Sequence, residues 1–161
     1  MLLVLAASSA ILSGIFPLHW PGHDKVRVAG WTYEVDQDPF TYLKSCRLYR
    51  RGVTYTHETL TFHLPPWIDT SEAIYRIDNA AAQPWRASAT ELAAKGVTLQ
   101  RDDLRNPSGS VVPIPARQLV DANVVTIRPS QTGSLVQFRV DGFSRAITAA
   151  RSAGCTPDGF R

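Results

Sequence analysis

Three carboxylates, Glu34, Asp36 and Asp38, recur at every second position, the spacing of one face of an extended strand. Such a row could hold a calcium ion or carry acid–base chemistry if a second set of ligands faced it. Trp31, Tyr33 and Val35 occupy the opposite face, and this alternation reads more simply as a half-buried strand with a solvated acidic side. His57 and His63 share strand parity, but extended chain would separate them by roughly 20 Å, too far to ligate one ion. His19 and His23 have helical spacing, with Pro21 and Gly22 between them forbidding a helix. Asp102 and Asp103 fall in a loop. Pro107-Ser108-Gly109-Ser110 lacks the strand–turn–helix context of a nucleophile elbow. The expectation is therefore no catalytic residue, no metal and no cofactor. The alternative is a small hydrolase or metal-dependent enzyme whose site forms only in three dimensions, around Glu34, Asp36, His57 or His63.

Arg47, Arg50 and Arg51 with Tyr49 form a basic and aromatic cluster that could meet an anionic surface polymer, a lipid headgroup or an acidic envelope protein. The same residues also serve as a charged strand edge that discourages aggregation. The two cysteines, Cys46 and Cys155, permit one pairing. They accompany an uncharged apolar start, Leu2 to Phe16, which reads as a secretory leader and places the chain where thiols oxidise. A disulfide between Cys46 and Cys155 is expected. Small residues allow cleavage near Ala10 or Gly14. Retention as a membrane anchor is the alternative, although a spanning helix needs about 20 residues. The localisation that follows is periplasmic or secreted, or membrane-anchored facing the periplasm.

The chain has 161 residues, 44% hydrophobic and 19% charged, the composition of one ordinary globular domain. Its net charge of +3 is spread among acidic residues rather than gathered in a stripe, which argues against a nucleic-acid partner. The organisation expected is a leader or anchor over 1–16, a linker over 17–25 rich in Pro and Gly, and a single β-rich domain over 26–161.

The elements that must position these groups are mostly strands. Val26 to Val35 alternates as one strand. From Cys46 to Leu64 the apolar phase moves from odd positions (Val53, Tyr55) to even ones (Leu60, Phe62, Leu64), which requires a bulge or tight turn around His57 to Thr59, with Gly52 marking another turn. Ala73 to Asp78 and a segment near Trp85 add strands. Ser88-Ala89-Thr90-Glu91 matches a capping box for a short helix ending at Gly96. Val97 to Leu99 suggests a brief strand, and Pro115 opens a one- or two-turn helix. Val124 to Arg128 and Leu135 to Val140 form a closing hairpin. A final helix follows, capped by Asp141, with Phe143, Ala146, Ile147 and Ala150 on one face and Gly154 at its end. The fold class is mainly β with short helices, a β-sandwich or partly open barrel, its C-terminal helix tied by one disulfide.

The leader, Gly30-Trp31-Thr32-Tyr33, Lys44-Ser45-Cys46-Arg47-Leu48 and the strand-then-helix ending Val136 to Ile147 resemble the invasion-associated locus B family of small exported proteobacterial proteins. The resemblance covers the two ends of the domain. It implies a small periplasmic β-rich fold with an accessory role at the cell envelope and assigns no catalytic residue. From residues and resemblance together, the expected function is an exported, envelope-associated binding or accessory protein without catalytic activity.

Overall fold

The computed structural model describes residues 23–94 and 110–160. The first strands are built by two-residue turns. β1 (His23–Val28) and β2 (Trp31–Gln37) are antiparallel, joined at Ala29 and Gly30, both with positive φ, 52° and 83°. Turns of this hand match the right-handed twist of paired strands. The alternation from Val26 to Val35 is thus a hairpin and not one strand, and its first strand starts at His23, inside the expected linker. The apolar residues change phase there, from even positions (Val26, Val28) to odd ones (Trp31, Tyr33, Val35), as cross-strand partners must across any two-residue turn.

β3 (Lys44–Arg50), β4 (Val53–Thr56) and β5 (Thr59–Leu64) continue the meander. Their connections are Arg51-Gly52 and His57-Glu58, so the phase change at His57 to Thr59 and the turn marked by Gly52 are both two-residue turns. The chain then crosses to a second sheet through β6 (Ile74–Ile77) and β7 (Gln83–Pro84). It passes a 3-10 turn (Trp85–Ser88) and α1 (Ala89–Ala94) before β8 (Ser110–Pro115) returns to the first sheet. Another 3-10 turn (Ala116–Leu119) leads to the hairpin of β9 (Val124–Arg128) and β10 (Val136–Arg139), then to α2 (Phe143–Ser152). The expected helix stop at Gly96, the strand at Val97 to Leu99 and the loop containing Asp102, Asp103 and Ser108 lie outside the described residues, as do His19 and the leader.

The described residues are mainly β, with two antiparallel sheets and no closed barrel among them. Strand order is β1-β2-β3-β4-β5-β8 in one sheet and β10-β9-β6-β7 in the other. Their inner faces share one core. Phe62 of the first meets Phe138 of the second at 5.2 Å between ring centroids. α2 fills the space the smaller sheet leaves uncovered. Its buried face, Phe143, Ala146, Ile147 and Ala150, packs toward β2 and β3, with Phe143 against Trp31 and Tyr55. Edge strand β8 carries Pro113 and Pro115, which lack the N–H a further strand would need.

Two glycines set the ends of α2. Gly142 has φ +78°, and a Cβ there would stand 2.5 Å from that of Ala29. At the other end Gly154, φ +97°, donates its N–H to Arg151 O while Cys155 donates to Ala150 O, a Schellman close. That geometry delivers Cys155 to Cys46, forming the expected disulfide across 109 residues of sequence. Beyond it Phe160 bridges to Cys46 where β4 has already ended, and its ring meets Tyr55 edge-on.

Candidate functional site

The acidic row of β2 is not a free solvated face. Glu34 is buried to 9% exposure and accepts hydrogen bonds from Tyr49 Oη at 2.7 Å and Lys25 Nζ at 2.9 Å. Lys25 foremost, with Tyr49, holds the Glu34 carboxyl below its ordinary pKa. Asp36 pairs with His23. Asp38 accepts from the amides of Phe40 and Thr41, which lower its pKa and shape the β2–β3 loop. His63 shares a 2.9 Å hydrogen bond with Thr54, and burial of the ring lowers its pKa. His57 sits in the β4–β5 turn. Glu34, Asp36, His57 and His63 therefore do not converge, and the described residues contain no cluster of three or more metal-ligating side chains.

The basic cluster divides as well. Arg47 and Tyr49 lie on the outer face of the first sheet, in register with Glu34 and Thr32. Arg50 turns away: its Nη1 donates to both the carbonyl and Oδ1 of Asp141, each at 2.9 Å. Arg51 lies exposed in the β3–β4 turn. Asp141 does not cap α2, since no side-chain cap bond forms there. Its carboxylate receives Arg50 and Arg139 instead, and its carbonyl receives Trp31 Nε1 at 3.1 Å. The helix amides lose to Arg139, two residues back, and to Arg50, 91 residues back, because two guanidinium groups hold a carboxylate more strongly than an amide does.

The structure forms a site that the sequence did not single out, a groove of about 340 Å³ between α2 and the Ala116–Leu119 turn. Tyr55, Ala116, Phe143 and Ile147 form its apolar floor. Val120, 44% exposed, stands at its mouth, and Glu58, Arg117 and Arg151 supply charge around it. Ser144, Thr148 and Arg151 reach it because they follow one another at i+4 and i+3 on α2. The facing wall is fixed by side chains. Arg117 forms a two-pronged ion pair with Glu91 of α1, at 2.8 and 2.7 Å. Gln118 accepts from Tyr75 Oη at 2.8 Å and donates to Ser88 Oγ at 3.2 Å. Burial pushes the Tyr75 phenol up, so it stays a neutral donor.

One end of the groove is the β4–β5 turn, where His57 and Glu58 both take left-handed φ, 46° and 57°. A two-residue turn of this kind prefers Asn-Gly. Here His57 and Glu58 adopt it, held by the bond from Ala116 N to Glu58 O at 2.8 Å, and the geometry places Glu58 on the groove. The phase change had marked this turn, but the groove needs residues from β4, the turn after β8 and α2, which no local pattern links.

No protein-family model, curated protein or solved structure matches the chain. Among the described residues no helix is long and apolar enough to cross a membrane.

Proposed function

We propose that the chain is an exported, non-catalytic accessory module of the cell envelope that binds a partner protein in the groove beside α2. The observation that carries this reading is the groove itself. A concave apolar floor with a few fixed polar groups around it is the usual form of a recognition site. Its walls are held by the Arg117–Glu91 pair and the Tyr75–Gln118 bond, so little ordering is needed on binding. Export, with the periplasm as destination, is supported by the uncharged Leu2 to Phe16 segment and the Cys46–Cys155 disulfide, a bond that persists in oxidising compartments. The resemblance to the invasion-associated locus B family belongs to the same proposal.

A second reading, contact with an anionic surface polymer along β3, is favoured by Arg47, an exposed side chain with no ion pair among the described residues. The two are separated by substitution. Val120→Arg fills the groove mouth and Arg47→Gln removes the exposed charge. The oxidised chain is used to capture envelope proteins, and each retained protein is purified and titrated against wild type and both variants. Groove binding requires at least a tenfold loss with Val120→Arg, at an unchanged melting temperature, and little effect of Arg47→Gln. A retained partner that binds Val120→Arg as tightly as wild type refutes the groove.

A further inference from the structure

The outer face of the smaller sheet carries a second depression, of about 190 Å³, which shares no lining residue with the groove. Register explains its shape. Arg128 stands directly opposite Ile74, and Arg76 directly opposite Thr126, so the two arginines are diagonal neighbours across β6 and β9. Diagonal Cβ atoms lie about 7–8 Å apart, within reach of two long side chains converging on one group. Between them the small side chains of Thr126 and Ala82 leave the floor low, while Ile74 and Leu135 form apolar shoulders, Leu135 being 62% exposed.

Three observations point to an anionic ligand. The guanidinium groups of Arg76 and Arg128 form no ion pair or hydrogen bond with any described residue, whereas that of Arg139 is paired with Asp141. Among the described residues no acidic side chain lines the depression. Thr126 is 6% exposed and lines the floor, and its hydroxyl, which solvent reaches, has no hydrogen-bond partner among the described residues. A guanidinium fork matches a carboxylate two-pronged, and a second one beside it doubles the charge. A compact inorganic anion would leave the apolar shoulders unused. At roughly 30 Å³ per water the depression has room for about six, the scale of one sugar ring rather than a whole metabolite.

We infer that the outer face of the β6–β9 pair binds a carboxylate-bearing sugar unit of an anionic glycan. The carboxylate lies between Arg76 and Arg128, a ring hydroxyl meets Thr126, and the apolar face of the ring rests on Ile74 and Leu135. An open sheet face suits one unit of a continuing polymer, because neither direction along the strands need be closed. The inference does not depend on the groove.

The test is titration of the oxidised full chain with a trimer of galacturonic acid, followed by backbone amide shifts in the protein's NMR spectrum. Saturable binding with the largest shifts on β6 and β9 is expected. Arg76→Gln and Arg128→Gln should each weaken it by at least about tenfold, the usual effect of losing a charge-assisted bond. Melting temperatures should not change, and Val120→Arg should bind as wild type does. The methyl-esterified trimer should not bind. Absence of saturable binding, binding that survives the double arginine substitution, or inorganic phosphate binding as tightly as the trimer would each overturn the assignment.

Discussion

Glu34 and Asp141 show what individual carboxylates do in this domain. Each has its pKa held down by basic or hydroxyl partners. For Glu34 the bond from Lys25 dominates; for Asp141 burial pushes upward, and Arg139 and Arg50 outweigh it. A carboxyl with a lowered folded-state pKa adds stability that is fully present above its unfolded value, and loses it as pH falls through the folded one. Stability should therefore be level near neutrality and fall in the acid range. Glu34→Gln is expected to lower the melting temperature at pH 7 and to flatten its decline between roughly pH 5 and pH 2. Thermal unfolding monitored by circular dichroism across that range measures both effects; a variant whose acid limb parallels that of wild type would show that the Lys25–Glu34–Tyr49 group contributes nothing. The acidic row was legible as one strand face because period two is local. That Lys25 and Tyr49 would cover Glu34 was not, since it depends on which strands flank β2.

At the scale of elements, the tight turns carry the most information. A phase reversal in the apolar pattern located His57-Glu58 and a glycine marked Arg51-Gly52, whereas the reversal from Val26 and Val28 to Trp31, Tyr33 and Val35, which marks the turn at Ala29-Gly30, was read as one continuous strand. The His57-Glu58 turn places two residues with side chains in a left-handed conformation, which costs about 1–2 kcal/mol per residue relative to glycine. Replacing the pair by Asn-Gly is expected to stabilise the domain by about 1–2 kcal/mol in urea unfolding. The same substitution should weaken binding in the groove, because it removes the Glu58 side chain from the rim. Greater stability with undiminished partner binding would mean that the turn has no role in recognition.

For the molecule as a whole, the disulfide is the covalent constraint. It joins β3 of the larger sheet to the end of α2, closing 109 residues that include all of the smaller sheet. Both cysteines are buried, Cys46 at 1% exposure, so the bond belongs to the core. Replacing both by alanine is expected to cost about 2–5 kcal/mol, read from the shift in urea midpoint against the oxidised wild type. A smaller cost would show that the contacts of α2 with Trp31 and Tyr55, and of Phe160 with Tyr55, hold the C-terminal segment without the covalent link.

Alternation, phase reversal and a lone cysteine pair already specified a mainly β domain with a stapled C-terminal helix, because each signal is carried by residues close together in the chain or by the only two of their kind. Tertiary structure alone decided that Asp141 would receive Arg50 from 91 residues away, that α2 would leave a groove beside Ala116–Leu119, and that Arg76 and Arg128 would flank Thr126. Periodicity tells which face of a strand a residue occupies. It is silent on which strand lies alongside, and both sites are made of residues that become neighbours only through strand order.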